Sequence, residues 1–372
     1  MAQPPIDGPW RHNIIVPRMS VRPVDLSVSR RDFLRTAGCF AGAASLAPAV
    51  IPRWASAELL ADKLEYRNHK PASMGYRKLG KTNMMVSAVA LGGAGNYGTG
   101  AIADDDPAAY EAMMEKLIDM GVNYFDTSQD SVVTGSGGYA TQDNFAYLCS
   151  PSLREKVFIS TKIEDIDDAH AKQCIEAALT EMNTDYIDIV YIHHGNGISG
   201  SNYSGALGCF DAIDEMIAQG KVRFKGMTSH VPGQLTGLLQ NYSDRVDAVM
   251  GFRVAGSNWE WAGGTVDQWN SVYSLAEEKN VGVVGMKIFM SAVDPWETRV
   301  SKLKGEAAGW ARVKPHVDQG ASIPQACVEW ALSNEDIKSV VLGMRTVAEA
   351  EEDAGSVEPD GGESGALPSR SA

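Results

Sequence analysis

The chain has 372 residues, 44% of them hydrophobic, and a formal net charge of −14. That length holds two small domains or one large barrel with extensions, and the apolar share supplies a full core. The acidic balance excludes a nucleic-acid partner, because phosphate binding needs a basic surface.

The first feature in chain order is not a fold element. Residues 29–35 read SRRDFLR, with Arg30 and Arg31 adjacent and Phe33 and Leu34 following. A weakly apolar run, TAGCFAGAASLAPAVI, comes next and ends near Ala55-Ser56-Ala57, which has the small-x-small form of a cleavage site. Gly and Pro interrupt the run, and it is too polar for a stable membrane span. The stretch resembles a twin-arginine export signal. The resemblance implies that residues 1–57 are removed, that the twin-arginine machinery is a partner, and that the mature protein is periplasmic or extracellular. Cys39 falls in the removed segment. Cys149, Cys174, Cys209 and Cys327 form no CxxC, which argues against a zinc ribbon or an iron–sulfur motif. They read as buried thiols, with a disulfide left open.

From about residue 76, apolar β-branched runs alternate with helical ones. The runs lie at 86–93, 122–128, 156–163, 186–194, 223–229, 247–254, 281–289 and 337–344. They are continuous rather than alternating, as expected of parallel strands covered on one side and packed inside a barrel on the other. Between them, 106–121, 170–183 and 207–221 carry apolar residues at helical spacing, the last with Gly220 placed as a stop. Eight strand–helix units predict a (β/α)8 TIM barrel, an α/β fold spanning 58–350. Ahead of it, MGYRKLGKTNMMV has the turn chemistry of an N-terminal β-hairpin around Gly80 to Asn83, placed to close the barrel bottom. Residues 351–372, rich in Gly, Ser, Pro and acid, are expected to form a disordered tail.

In such a barrel the active site lies at the C-terminal strand ends. Strand two ends in Asp126, strand three in Lys162, and strand four in His193 and His194. Singly, each has a plain alternative: a helix cap, a surface lysine, a hydrogen-bonded structural histidine. On consecutive strands they converge on one spot.

YRKLGKTNMMVSAVALGG, GVNYFDTS, REKVFISTK, TDYIDIVYIHH, GKVRFKGMTSH and VVLGMR follow one another in an order that resembles the aldo/keto reductases, over about residues 74–350. The resemblance implies an NADP(H)-dependent oxidoreductase that reduces a carbonyl or oxidises an alcohol on a small molecule. A tyrosine would donate a proton to the carbonyl oxygen, a lysine beside it would favour the phenolate, an aspartate would pair with the lysine, and a histidine would orient the substrate. Asp126, Lys162 and His193 match three of these roles, with His194 the weaker second histidine.

The fourth role departs from the family pattern. Ser131 stands where the tyrosine usually falls, and Tyr139 follows the insertion DSVVTGSGG. Either Tyr139 is the acid, carried back over the mouth by a longer loop that Gly135, Gly137 and Gly138 allow to reverse, or it packs on that loop and the acid is missing. For the cofactor, the resemblance implies Thr228 and Ser229 at the carboxamide, Met250 or Gly251 where a Gln is expected, and Gly343 and Arg345 at a phosphate. Glu352-Asp353 stands where Glu-Asn is common. Trp259, Trp261 and Trp269 lie near the expected mouth, with Trp259 and Trp261 placed to stack on a sugar; a packed lid without a ligand is the alternative.

Two other functions remain open from sequence. One is a metal-dependent sugar isomerase or lyase using Asp126, His193 and His194, although adjacent strand residues point to opposite faces. The other is a catalytically altered or inactive barrel that binds a ligand or partner.

Overall fold

The computed structural model describes residues 63–93, 106–128, 142–164, 166–194, 203–256, 263–289, 296–357 and 359–360. Tyr139, Trp259, Trp261 and the 1–57 leader lie outside them. The described residues all belong to one unit, Pro52–Ala372.

Eight parallel strands close a barrel in sequence order: β4 (Val89–Gly92), β5 (Tyr124–Asp126), β6 (Phe158–Glu164), β7 (Ile187–His194), β8 (Val222–Ser229), β9 (Ala248–Phe252), β10 (Gly282–Met286) and β11 (Ser339–Leu342). Closure is made by β11 pairing with β4, Val340 opposite Val89. Six of the strands fall within the predicted runs; β6 ends one residue later than predicted, at Glu164, and β8 starts one residue earlier, at Val222. Each is buried on both sides, which is why the sequence shows continuous apolar runs.

The helices sit where the amphipathic segments predict them. α1 (Pro107–Met120) opens on Asp106, whose side chain accepts from the Ala109 amide, and closes on Gly121 at φ 101°. α2 (Asp168–Glu181) and α3 (Ser204–Ala218) follow β6 and β7, and α4 (Pro232–Tyr242) and α5 (Val266–Glu278) follow β8 and β9. After β10 the chain departs from a plain repeat and inserts α6 (Trp296–Gly305) and α7 (Ala307–Asp318) before α8 (Ile323–Leu332). The last helix, α9 (Val347–Ala354), runs past the expected boundary at 350. Asp360 lies beyond it, and its carboxylate accepts from the Tyr76 amide at 3.1 Å. The predicted tail from 351 is therefore ordered at its start, because Ala354 and Val357 have apolar surface to bury.

The predicted hairpin is present as β2 (Tyr76–Lys78) antiparallel to β3 (Met84–Ser87), joined by a turn in which Gly80 and Asn83 adopt positive φ. A short β1 (Glu65–Tyr66) adds a third strand, parallel to β3. The turn abuts the start of β10, with the Lys81 amide donating to Asn280 O at 2.9 Å. Asn123, just before β5, ties the hairpin down: its Oδ1 accepts from the Ser87 amide at 2.7 Å and its Nδ2 donates to Met85 O at 2.9 Å. The hairpin thus occupies the N-terminal end of the barrel and leaves the C-terminal end open.

Candidate active site

β5 ends in Asp126 and the neighbouring β6 carries Lys162 near its end, so the two side chains meet inside the mouth, 3% and 5% exposed. The Lys162 ammonium donates to Asp126 Oδ2 and, at 2.9 Å, to Thr127 O. Ser160, two residues earlier on the same face of β6, donates to the other carboxylate oxygen at 2.6 Å and lies 3.0 Å from the Tyr124 hydroxyl. Tyr124 in turn sits 3.2 Å from Tyr191. Burial, with Tyr191 and Asp126 adding to it, holds the Tyr124 phenol well above its ordinary pKa. It is therefore a neutral prop beneath the carboxylate. Asp126 is fixed from two sides, and the lysine it holds is aimed at the mouth.

β7 delivers His193, half-buried, opposite Thr228 of β8. Its ring packs at 5.1 Å from that of His230, which follows β8 and also packs on Phe252 at 4.8 Å. Burial, assisted by the charge of Lys287, lowers His230 to about 4, so this imidazole is neutral near pH 7. His194 closes β7 opposite Ser229.

Lys287 follows β10 directly. It is half-buried and lines the same cavity as Asp126 and Lys162, a cleft of about 210 Å3. Burial lowers it to about 8, with Lys162 acting in the same direction and Asp126 opposing. Its φ is +63°. The other non-glycine residues with positive φ among those described are all asparagines, which tolerate that region. A lysine there costs about 1–2 kcal/mol.

The expected cofactor residues divide. Thr228 and Ser229 are buried at the end of β8, but Ser229 is engaged by Gln234 and by the Val231 amide. Met250 of β9 lines the cavity where an amide was expected, beside Met286. Gly251 faces the other way, onto Trp269. Gly343 and Arg345 line the same cleft, together with Trp296 and Arg299 of α6 and the acids Glu349, Glu352 and Asp353. Arg345 is held by Glu349, whose carboxylate accepts from the Arg345 amide at 2.6 Å and lies 3.6 Å from its guanidinium. Burial raises Asp353 to about 8, with Glu352 and Glu349 adding to the shift. Near pH 7 its carboxyl is mostly neutral and can donate a hydrogen bond as an asparagine amide would.

Trp269 is not at the mouth. It is 4% exposed on α5, stacked on Tyr273 and edge-on to Phe252, so it serves the helix–barrel interface. Lys287, His230, Ser160 and the α6 wall are absent from the sequence-derived candidates. The strand-end rule that found Asp126 and Lys162 also points to Lys287 and His230 when carried to β8 and β10.

Among the described residues no group of three or more His, Cys, Asp or Glu is arranged to hold a metal ion. The four cysteines described are free thiols, and burial raises Cys149 to about 11 and Cys327 to about 12. No helix among the described residues is long and apolar enough to cross a membrane.

The family model described as Aldo/keto reductase family matches residues 89–359. L-galactose dehydrogenase of Arabidopsis thaliana is 26% identical over 302 residues, 76% of this chain and 87% of that protein. A 6-dehydroglucose reductase of Agrobacterium fabrum is 25% identical over 41% of this chain and 54% of its own length. Among solved structures, the holo form of aldo-keto reductase AKR11C1 from Bacillus halodurans superimposes with a TM-score of 0.56 at 18% identity, covering 77% of this chain and 91% of that one.

Proposed function

This chain belongs to the aldo/keto reductase family, and from that premise we propose that it is an exported, NADP(H)-dependent oxidoreductase that reduces the carbonyl of a sugar-derived compound or oxidises the matching alcohol. The observation that carries the reading is the buried Lys162–Asp126 pair at the open end of the barrel, with His193 on the next strand. The sugar class is supported by the names of the relatives, L-galactose dehydrogenase and 6-dehydroglucose reductase.

The donor set in the cleft fits a dinucleotide. Gly343 leaves room for close approach of a phosphate, Arg345 supplies a guanidinium, and the neutral Asp353 carboxyl can meet a base edge. When bound, the nicotinamide supplies or accepts the hydride. Asp126 holds Lys162 in place, and Lys162 presents positive charge where a phenolate would form on a neighbouring tyrosine. Tyr139 is the proposed proton donor to the carbonyl oxygen. His193 donates a hydrogen bond to that oxygen and fixes its orientation. The apolar Met250 and Met286 exclude water from the reacting end.

Lys162→Met tests this. Turnover of NADPH with a keto-sugar falls by about 10²–10⁴, the range of general acid–base assistance, while NADPH affinity stays within a few-fold. Turnover close to wild type removes Lys162 from the mechanism. The SRRDFLR leader supports export of a protein already folded around its dinucleotide. Changing Arg30 and Arg31 to Lys then traps the protein inside the cell, and an unchanged periplasmic or extracellular yield overturns the export.

A further inference from the structure

A second imidazole stands beside His193, and the proposed chemistry gives it no task. His230 follows β8 directly and is half-buried. Its ring meets the His193 ring edge-on, with centroids 5.1 Å apart, and lies 4.8 Å from the ring of Phe252. That platform is well fixed. Phe252 is buried, lies edge-on to Trp269, and its carbonyl accepts from the Tyr273 hydroxyl. The main chain is held as well: the His230 carbonyl accepts from the Gly263 amide at 3.0 Å, and the Val231 amide donates to Ser229 Oγ at 3.0 Å.

Position sets the two imidazoles apart from the dinucleotide cleft. Among the described residues that cleft is lined from β4, β5, β6, β9, β10 and β11, from the segments that follow β10 and β11, and from α6, α8 and α9. Neither β7 nor β8 contributes a residue to it, and neither His193 nor His230 lines it. The rings stand on the β7–β8 side of the mouth, where β7 pairs with the strand that carries Lys162.

A ring that only filled the space between His193 and Phe252 could be a phenyl. Histidine adds two nitrogens. Among the described residues neither of them makes a hydrogen bond, and the buried unpartnered polar side-chain atoms are those of His170, Trp269 and Ser339, so the His230 nitrogens are open at the mouth. Burial, with the charge of Lys287, keeps the ring neutral near pH 7. A neutral imidazole offers one N–H donor and one acceptor nitrogen. A hydroxyl also donates and accepts, so the match is to an alcohol and not to a carboxylate, which only accepts.

We propose that His230 is a hydroxyl seat, and that the substrate carries a hydroxyl on the carbon next to the reacting one. The oxygen of the reacting carbon lies against His193, and the neighbouring hydroxyl bonds to His230. Rings in edge contact serve oxygens on adjacent carbons better than distant ones. This rests on the oxidoreductase reading for the word substrate, but the seat itself is a binding site and is tested as one.

The test is calorimetric binding of D-galactose, 2-deoxy-D-galactose and 6-deoxy-D-galactose to protein saturated with NADPH, on wild type, His230→Phe and His230→Gln. The reacting carbon of an aldose is C1, so of these three only the 2-deoxy sugar lacks the neighbouring hydroxyl. A neutral hydrogen bond is worth about threefold to tenfold in affinity. Wild type should bind galactose more tightly than its 2-deoxy form by about that factor, and should bind 6-deoxygalactose as it binds galactose. His230→Phe keeps a ring against His193 and Phe252 but removes the nitrogens. It should bind galactose and 2-deoxygalactose alike, with NADPH affinity within a few-fold of wild type. His230→Gln, whose amide both donates and accepts, should recover part of the preference.

A wild type that binds galactose and its 2-deoxy form alike, or binds neither, overturns the seat. So does a His230→Phe variant that keeps the preference, since the ring would then serve packing alone. A preference that depends on His230, without any hydride transfer from the sugar to NADP+, would leave the seat standing and overturn the oxidoreductase reading. Hydride transfer from galactose and 2-deoxygalactose with equal efficiency, unchanged in His230→Phe, would do the reverse.

Discussion

At Lys287 two unfavourable features coincide: an ammonium with no acceptor among the described residues, and a left-handed backbone under a full side chain. Its effect on stability has a definite sign. The folded pKa is lowered to about 8 from an ordinary value of 10.5, so between those values the unfolded chain binds more protons than the folded one. Stability therefore rises with pH across that window, and below it the charged lysine is a standing cost. Lys287→Met is expected to raise stability by about 1–2 kcal/mol at pH 7, after allowance for partial exposure, and the gain should shrink above pH 8. Thermal melts of the ligand-free protein at several pH values check this; a destabilised variant at pH 7 contradicts it. Asp126 and Lys162 were legible in the sequence because strand position alone brings them together. Lys287 was less so, since its interest lies in a dihedral angle and a missing partner, neither of which a residue string displays.

Among the elements, the barrel strands were readable because burial on both faces leaves runs without polar residues, as in GVVGM of β10. The hairpin turn was readable because Gly80 and Asn83 need positive φ and those residue types tolerate it. The helices α6 and α7 were not. α6, WETRVSKLKG, buries only Leu303 fully, so its apolar periodicity is faint, and α7 carries Pro315 within it. Yet α6 supplies Trp296 and Arg299 to the cleft wall, with Trp296 edge-on to Phe289 at 5.9 Å. The end of α9 is hard to read from sequence for a related reason. Acidic residues dominate VAEAEEDA, but Ala350, Asp353 and Ala354 form its buried face.

Across the molecule, charge is used differently at the two ends of the barrel. At the closed end Asp188, fully buried near the start of β7, is met by Arg67 at 3.2 Å, Arg154 at 2.8 Å and Arg223 at 2.5 Å, and it accepts from the Ile159 amide at 2.9 Å. Burial opposes its ionisation, but the three guanidiniums and that amide together hold it well below the usual carboxylate range. Every lone pair has a partner, so this end is structural. At the open end one aspartate faces two lysines and the compensation is incomplete. That asymmetry agrees with the family's placement of chemistry at the C-terminal strand ends. The central claim is that the open end transfers hydride between a nicotinamide dinucleotide and a sugar carbonyl. The most direct measurement incubates the protein with NADPH deuterated at the transferable nicotinamide position and a panel of keto-sugars and keto-sugar acids, then follows the label by mass spectrometry. The account predicts deuterium on the reduced carbon of the product, with transfer collapsing in Lys162→Met; a dinucleotide that binds yet never passes its label to any carbonyl would contradict it.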